Sequence, residues 1–447
     1  MDERHPWLSR RRLLGGAVSL GLDACAPGGR GRAAGKATLA ADDRVSTAQT
    51  KPALAHEGPL MLMPEAEITG AATHPSEPWL ATSSMTPHGE GEGQLVVWDL
   101  REARPVSVFD DEHGFGFESD EGALLWAPSG RRLAASAGTN GVAVVEAGKL
   151  LTLAFPDETR DHQVPFCWMG TESRLYSATS DPPKDGGLGV AITVGPPDGA
   201  LKPTPAGVPS RVLRRLVYNG AIGAVVGDDL VFLTAVDVDK GLLRYEVPLA
   251  KALPKPTIGS VPTAWSADGR RAAVAAPAGA GASTVTIFDG DDGQELARVS
   301  VAGEVGALRW TPPQEGVQRA LAVVTGPKSG DPRHVHVVET DRVVRTIDAP
   351  LATQAFRLAD ARTVAWSPDG TALAMLLRDG AVRLVDVASG RTRATVETKG
   401  RLVVERLNRP GVLWAAPDRI VGLSPRLIGI WTTEGELLAH HEVSRRG

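Results

Sequence analysis

Cysteine is scarce in this sequence, with only Cys25 and Cys167 in a chain of 447 residues. At most one disulfide can form, so disulfides do not organise the fold. Cys167 lies between Phe166 and Trp168 in an apolar run, where a cysteine acts as a small buried hydrophobe rather than a nucleophile. The chain must therefore rely on its core, and its 42% of hydrophobic residues is normal for a soluble globular protein.

An excess of basic charge is also lacking. The formal net charge is -5, which offers no basic surface for nucleic acid. The sequence contains no Gly-x-Ser-x-Gly elbow, no phosphate loop, no Cys-x-x-Cys-His haem site and no His-Glu-x-x-His motif. We therefore predict no nucleic-acid partner and no cofactor, and no residue is a candidate for catalysis.

No apolar run is long enough to span a membrane. The longest candidate near the start of the chain, 13–22, has ten residues, whereas a span needs about 20. It follows three consecutive arginines, as the apolar part of an export signal does. With Ser9, Arg10, Arg11, Leu13 and Leu14, this leader resembles a twin-arginine export signal. The resemblance implies that the protein folds in the cytoplasm and is exported to a periplasmic or other extracytoplasmic compartment.

The apolar run ends in Leu22-Asp23-Ala24-Cys25, which resembles a lipobox. Leu22, Ala24 and Cys25 match that pattern, whereas Asp23 departs from the small uncharged residue usual at its position. The resemblance implies cleavage before Cys25 and a lipid anchor on this cysteine, which would leave Cys167 without a disulfide partner. Residue 26 is alanine, which by the same resemblance favours the outer membrane in a Gram-negative host. We thus predict a signal peptide over 1–25, with the anchor as the only membrane contact.

Residues 26–57 show no apolar periodicity and are rich in Gly, Ala, Thr, Asp and Lys. This composition predicts a flexible tether between the anchor and a folded domain over 58–447.

A repeat runs through 58–447 and decides the expected fold. Its clearest copy, 363–396, alternates apolar runs with three turn signals, Pro368-Asp369-Gly370, Asp379-Gly380 and Ser389-Gly390. Proline and aspartate preset such turns, and glycine takes the positive φ that they need. One unit therefore predicts four short antiparallel strands.

The same pattern recurs along the chain. Trp-Ser-Pro-Asp-Gly at 366–370 and Trp98-Asp99 resemble the signatures of bacterial WD-repeat β-propellers. We predict an all-β propeller of four-stranded blades, with eight blades, or seven if the degenerate last unit is not one. The predicted units are 66–109, 122–156, 163–201, 212–250, 260–299, 304–347, 362–397 and 402–443.

Insertions in this repeat fall on one predicted set of loops. Four lie between the second and third strands of a unit, at 84–93, 180–187, 277–283 and 326–333, and a fifth, 110–121, lies between the first two units. In WD-type propellers both positions open onto the same face, and function usually sits in such loops on a rigid scaffold. Neutral drift of surface loops is the alternative.

The insertion at 110–121 is the most distinctive, because acidic residues flank aromatic ones. This pattern suits a loop that binds a protein partner or a divalent cation, and the alternative is a solvated acidic loop. The candidate binding residues are Asp110, Asp111, Glu112, His113, Phe115, Phe117, Glu118, Asp120 and Glu121.

Two weaker patterns concern metals. His334 and His336 fall on one face of a predicted strand and form a candidate metal pair, but the sequence places no third ligand near them. Asp289 to Glu295 looks like a calcium loop but lacks the full ligand spacing, so we interpret it as a turn. The adjacent His440 and His441 alternate faces and are predicted at the surface.

Two functions fit these observations. The first is a non-catalytic lipoprotein of the cell envelope whose propeller binds another protein or an envelope component. The second is an exported propeller enzyme, either a lactonase-like hydrolase or a cofactor-dependent oxidoreductase, motivated by an export route used by proteins that fold before transport.

Overall fold

Short apolar runs separated by turn residues form β-strands throughout the described chain. The computed structural model describes 49–52, 67–85, 93–111, 124–127, 129–137, 141–146, 149–154, 166–169, 174–181, 189–195, 202–203, 213–219, 222–227, 232–237, 242–248, 262–266, 270–279, 281–312, 320–326, 334–352, 363–398, 402, 411–424 and 427–442. These residues belong to one compact unit, Val45–Gly447.

Within the described ranges the strands form eight antiparallel sheets, which we number as blades 1 to 8 in chain order. Blade 1 contains β2 (Glu67–Thr73), β3 (Trp79–Met85), β4 (Gly93–Asp99) and β5 (Arg104–Asp111). Blade 2 contains β6 (Leu124–Trp126), β7 (Arg132–Ala137), β8 (Gly141–Glu146) and β9 (Lys149–Ala154), with β1 (Gln49–Pro52) added outside β9. Blade 3 contains β10 (Phe166–Met169), β11 (Arg174–Asp181), β12 (Gly189–Gly195) and β13 (Lys202–Pro203). Blade 4 contains β14 (Leu213–Asn219), β15 (Ile222–Gly227), β16 (Phe232–Asp237) and β17 (Leu242–Pro248).

The remaining four blades repeat the arrangement. Blade 5 contains β18 (Thr263–Trp265), β19 (Arg271–Gly279), β20 (Ala282–Asp289) and β21 (Glu295–Ala302). Blade 6 contains β22 (Glu304–Trp310), β23 (Ala320–Gly326), β24 (His334–Glu339) and β25 (Arg342–Asp348). Blade 7 contains β26 (Val364–Trp366), β27 (Ala372–Leu376), β28 (Val382–Asp386) and β29 (Thr392–Val396). Blade 8 contains β30 (Gly411–Ala416), β31 (Arg419–Ser424), β32 (Leu427–Thr432) and β33 (Leu437–Glu442).

Each predicted unit corresponds to one of these blades, and in each the first to fourth strands pair in sequence order. The predicted fold class, an all-β propeller of four-stranded blades, is therefore confirmed. The largest shift of a unit boundary is at blade 8, whose first strand begins at Gly411 rather than near residue 402. Among the described residues, no helix has the length and hydropathy of a membrane span.

The core lies between blades, in layers shared by neighbouring sheets. Strand β23 is buried along its whole length, because both of its faces pack against other blades. The outer strand β21 instead alternates exposed and buried residues, as expected for a strand with one face in water. Shared apolar clusters join blade 4 to blade 5, then 5 to 6, 6 to 7, 7 to 8, 8 to 1 and 1 to 2.

Tryptophans in the first strands tie neighbouring blades together. The indole N–H of Trp126 donates to the carbonyl oxygen of Ala72 over 3.2 Å, and that of Trp310 donates to Ala264 over 3.2 Å. Each bond runs from one blade to the first strand of the blade before it. In blades 2 and 6, the tryptophan that marks the start of the unit in the sequence is therefore an anchor to the preceding blade.

We call the interface between two neighbouring blades a seam. The seam between blades 8 and 1 is closed by packing and by hydrogen bonds. Arg419 donates from Nε to the carbonyl oxygen of Leu100 over 3.2 Å, and the ring of His441 lies 4.7 Å from that of Trp98, between centroids. The four strands of blade 8 all come from the C-terminal part of the chain. Within the described residues, the last blade is thus completed by its own outer strand, β33.

Strand β1 differs from the sequence prediction, which began the folded domain at residue 58 and assigned 26–57 to a tether. Gln49 to Pro52 pair with Thr152 to Lys149, on the outer edge of blade 2. An outer strand carries a row of unpaired backbone donors and acceptors that a passing segment can satisfy. Composition alone does not reveal such pairing, because the edge that it needs is about a hundred residues away in the sequence.

Candidate functional site

The two edges of the blades carry different connections. Connections within the first pair and within the last pair of strands lie on one edge, which we call the turn edge. Connections between the second and third strands, and between blades, lie on the other, which we call the loop edge. This division follows from the antiparallel order of the strands in every blade.

Connections at the turn edge are short and satisfy their own polar groups in the blades that keep the repeat signature. In blade 7, Ser367 Oγ accepts the N–H of Ala372 over 2.9 Å, and Asp369 accepts the N–H of Thr371 over 3.1 Å. Burial alone would raise the pKa of Asp369, but its hydrogen bonds from Ser367 and Thr371 outweigh burial and hold the pKa below its ordinary value. The turn signals read from the sequence therefore have a structural role.

The acidic segment at 289–295 is one of these turns, as interpreted from the sequence. Asp289 Oδ1 accepts the N–H of Asp291 over 2.7 Å and lies 3.4 Å from the N–H of Asp292. Gly293, with φ of 74°, completes the turn. The carboxylate of Asp289 caps the backbone of its own turn.

The loop edge carries the longer connections. Those between blades span 112–123, 155–165, 204–212, 249–262, 349–363 and 397–410. Three predicted insertions, at 84–93, 180–187 and 326–333, fall between second and third strands, as expected. The fourth, 277–283, is different, because strands β19 and β20 continue through it to Gly279 and Ala282. Alternating small residues there extend a hairpin instead of opening a loop.

The acidic candidate segment joins blade 1 to blade 2 at the loop edge. Asp110 and Asp111 are the last residues of β5 and pair with Gln94 and Gly93. The other candidates lie outside the described residues, so their role stays a prediction: Glu112, His113, Phe115, Phe117, Glu118, Asp120 and Glu121. The residues of the predicted export signal and anchor, Arg10, Arg11, Leu13, Leu14 and Cys25, lie outside them as well.

Both ends of this connection are fixed in the core. Phe109, two residues before the end of β5, and Leu124, the first residue of β6, are buried in one apolar cluster. That cluster is the layer between blades 1 and 2. Any residues presented by the connection therefore start and finish on a rigid seam.

One seam of the loop edge differs from the others, because a single residue, Gly303, connects blade 5 to blade 6. Gly303 has φ of 92°, and a Cβ atom there would lie 2.9 Å from the carbonyl oxygen of Gly326. Ser283 Oγ donates to the carbonyl oxygen of Gly303 over 2.8 Å. Blades 5 and 6 are consequently held close together at the loop edge, where other blades are joined by long connections.

His336 is buried beside this seam and is bonded through both ring nitrogens. Its Nε2 lies 3.0 Å from Thr325 Oγ1 and 3.3 Å from the carbonyl oxygen of Ala302, and its Nδ1 lies 3.0 Å from Thr346 Oγ1. Burial lowers the pKa of His336, and the bond to Ala302 offsets this only in part. His336 thus joins blade 5 to blade 6 through the contact of its Nε2 with Ala302.

His334, the second member of the predicted metal pair, has a different hydrogen-bonding partner. Its Nδ1 lies 2.7 Å from Asp348 Oδ1, and its ring centroid lies 6.0 Å from that of His336. Across the described ranges, no three His, Cys, Asp or Glu side chains come together in a way that could hold a metal ion. The geometry gives both histidines hydrogen-bonding partners and supplies no third ligand among those residues.

His441 departs from the sequence expectation of a surface residue. It packs on Trp98 across the seam between blades 8 and 1, whereas His440 is exposed. Burial lowers the pKa of His441, and a hydrogen bond with the backbone of Ala103 offsets this in part. Alternation along β33 correctly separated the two histidines, but the neighbouring blade that covers one of them is not visible in the local sequence.

Comparisons with known proteins agree with this architecture. The model of the anaphase-promoting complex subunit 4 WD40 domain matches residues 334–405, which is less than half of the chain. No curated protein matches the sequence significantly.

Solved structures match over most of the chain. Sqt1 from Chaetomium thermophilum superposes with a TM-score of 0.55 at 18% identity, over 83% of this chain and 96% of that chain. A second structure of Sqt1 from the same organism gives a TM-score of 0.54 at 17% identity, over 83% and 97%. The C-terminal WD40 domain of Sif2, with a TM-score of 0.48 at 11% identity over 87% and 90%, is too distant to add to the comparison. By strand order, blade packing and these similarities, the described chain has a β-propeller fold similar to that of Sqt1, and 334–405 match a WD40 domain model.

Proposed function

We propose that this protein is an exported, lipid-anchored propeller that binds another protein of the cell envelope through its loop edge. The observation that carries the proposal is the difference between the two edges of the blades. The turn edge is short and bonded to itself in the blades that keep the repeat signature, whereas most connections between blades at the loop edge are long. Long connections on a rigid scaffold are where propellers, like other folds, place binding residues.

The segment 110–121 is the proposed contact surface within that edge. Its aromatic residues Phe115 and Phe117 supply apolar contact area, which is what protein interfaces enrich at their centres. Its acidic residues favour a partner with a basic surface, because complementary charge speeds encounter and selects among partners. The buried ends at Phe109 and Leu124 support the proposal, since a surface on fixed ends loses less conformational entropy on binding.

The cellular part of the proposal rests on the leader sequence. Arg10 and Arg11 with the following apolar run support export, and Cys25 supports the anchor. We expect the full chain, produced in a bacterium with a twin-arginine translocase, to reach the membrane fraction and to incorporate labelled palmitate. Replacement of Arg10 and Arg11 by lysine should retain it in the cytoplasm. Cys25→Ser should abolish labelling, and palmitate incorporation into that variant would contradict the anchor.

Site-specific photo-crosslinking in living cells tests the binding surface. A photoreactive amino acid at position 115 or 117 probes the loop edge, and one at the exposed Ser389 probes the turn edge as a matched control. We expect one discrete crosslinked partner from positions 115 and 117 and none from 389. Crosslinks from 389 alone, or equal products from all three positions, would contradict binding through the loop edge.

A further inference from the structure

His74 joins the first turns of two neighbouring blades. It lies between β2 and β3 of blade 1, where blade 7 has Ser367 in the corresponding turn. Its Nδ1 accepts the backbone N–H of Glu77 over 2.8 Å and that of Ser76 over 3.2 Å. Its Nε2 lies 3.1 Å from the carbonyl oxygen of Gly130, in the turn between β6 and β7 of blade 2.

These contacts fix the protonation state of the ring. An imidazole nitrogen that accepts two N–H groups cannot carry a hydrogen itself, so the hydrogen is on Nε2 and is donated to Gly130. Protonation would place a second hydrogen on Nδ1, facing the amides of Ser76 and Glu77. Three donors would then meet with no acceptor, which removes the two hydrogen bonds that shape the turn and adds repulsion.

The surroundings leave the ring little freedom to escape this conflict. The ring of Trp126 from blade 2 lies 4.7 Å away in an edge-to-face arrangement, and that of Trp79 lies 5.5 Å away. Gly130 has φ of 76°, and a Cβ atom there would lie 2.1 Å from His74 Nε2. The backbone of blade 2 therefore touches the ring directly, and the ring cannot turn without disturbing this seam.

We propose that His74 is an acid-sensitive latch, which holds the β2–β3 turn of blade 1 closed against blade 2 when neutral and lets that turn open when protonated. The proposal concerns the scaffold and stands independently of the proposed binding function. It assigns to a residue of the turn edge a regulatory role that the repeat pattern does not require, because the corresponding turn of blade 7 closes with a serine.

The burial of His74 and the charges around it determine whether its pKa is raised or lowered. Burial lowers the pKa of His74, while the bond to Gly130 and the carboxylate of Glu77 raise it in part. Glu77 is itself paired with Arg101 at 3.0 Å, which weakens its pull on a proton. From blade 2, the facing turn contributes Ser129 and Gly130, which do not titrate, and the exposed Arg131.

The sign of the pH dependence follows. A histidine whose pKa is lower in the folded than in the unfolded state stabilises the fold fully above its ordinary value of 6.5. That contribution is lost as the pH falls below 6.5. The β2–β3 turn of blade 1 should therefore open more readily on mild acidification, because its two bonds to His74 Nδ1 are lost.

His336 shows why a buried histidine is not by itself such a latch. Its Nδ1 faces the hydroxyl of Thr346, and its Nε2 faces the hydroxyl of Thr325 and a carbonyl oxygen. A hydroxyl can rotate from donor to acceptor, so a second hydrogen on this ring still finds a partner. His74, bonded to two fixed amide donors, has no such adjustment.

Hydrogen–deuterium exchange of the full-length protein between pH 7.5 and 5 tests the latch, with rates corrected for intrinsic exchange. We expect exchange in peptides over 72–80 to rise by up to about tenfold per pH unit, since each opening takes up one proton. The turn at 366–372 is the internal control, and its exchange should not change with pH. Constant exchange over 72–80 down to pH 5 would overturn the proposal.

Two variants separate His74 from other histidines. His74→Asn keeps a side-chain acceptor for the turn but cannot take up a proton in this range, so its exchange should be faster and independent of pH. His440→Asn, at an exposed histidine, should behave as the wild type. A wild-type pH profile in the His74→Asn variant would disprove the latch.

Proton NMR of histidine-labelled wild-type protein covers the case in which His74→Asn does not fold. The His74 ring should titrate over the same pH range in which exchange at 72–80 rises. Titration of this ring with unchanged exchange at 72–80 would refute the proposal.

Discussion

The indole N–H of Trp98 donates to the hydroxyl oxygen of Thr82 over 2.9 Å, between the second and third strands of blade 1. Both side chains are buried, in the blade that closes the ring against blade 8. The ring of Trp98 also packs against that of His441. One tryptophan thus combines a bond within its blade with packing across a seam.

Loss of the hydroxyl at position 82 should destabilise the protein. Thr82→Val keeps the shape of the side chain but leaves the indole N–H buried without a partner, at a cost of about 1–3 kcal/mol. Chemical denaturation measures the free energy of unfolding. In a Trp98→Phe background the same substitution should lower the free energy of unfolding much less, because no indole N–H is left without a partner. Equal costs in both backgrounds would show that the hydrogen bond does not matter.

Replacement by phenylalanine should destabilise the protein more at one tryptophan of the first strands than at another. Trp366 donates to the carbonyl oxygen of Arg309 over 3.0 Å, whereas Trp414 Nε1 is buried with no partner. A register shift between Trp414 and Ala416 accompanies this exception. Trp366→Phe therefore loses a hydrogen bond worth about 1 kcal/mol, in addition to packing, and Trp414→Phe removes an unsatisfied donor. Thermal unfolding should show the larger loss for Trp366→Phe, and the reverse order would contradict this reading of the seams.

The single-residue connection between blades 5 and 6 should tolerate no side chain. Gly303→Ala combines a positive φ with a Cβ contact of 2.9 Å to backbone oxygen, whereas Gly279→Ala has a similar φ and nothing within 4 Å. We expect backbone strain to lower the free energy of unfolding by about 1–2 kcal/mol in both variants. Overpacking should lower it by about 1–3 kcal/mol more in Gly303→Ala. Urea denaturation of the two variants checks this, and equal losses would exclude the close seam.

Asp386 should stabilise blade 7 only while it is ionised. The guanidinium of Arg393, 2.5 Å from Asp386 Oδ2, and the N–H and hydroxyl of Ser389 hold the pKa of this exposed carboxyl well below its ordinary value of 3.8. Its stabilising effect is therefore present above pH 3.8 and is lost as the pH falls below it. The wild type should unfold at higher temperature than Asp386→Asn at pH 7, with a difference that shrinks towards pH 3. In an Arg393→Met background, the difference in unfolding temperature should depend much less on pH. An unchanged dependence would show that a group other than the Asp386–Arg393 pair causes it.

Much of the fold was predictable because its signals are local. Pro368, Asp369 and Gly370 mark a turn through their own backbone preferences and side-chain hydrogen bonds, and similar signals recur in other units. Strand alternation also placed His334 and His336 on one face. It could not tell that the second is bonded to blade 5 through Ala302, since that contact joins residues 34 positions apart.

The candidate site was predictable only as a position in the repeat. The insertion after Phe109 was placed correctly between blades 1 and 2, because the lengths of connections can be counted in the sequence. The insertion at 277–283 was misread as an open loop, because Gly279 and Gly281 close a tight turn there and the strands pair up to it. What the acidic segment binds depends on residues 112–123 and stays a prediction.

The sequence by itself determined the four-stranded units, their order and most of their turns, because these follow from side-chain alternation and from backbone preferences within a few residues. The tertiary structure decided which groups are buried and what they contact. His74 and Gly130 are 56 positions apart, and Arg419 and Leu100 are 319 apart. Such pairs meet only when complete blades pack face to face, because the core of this protein lies in the seams between blades.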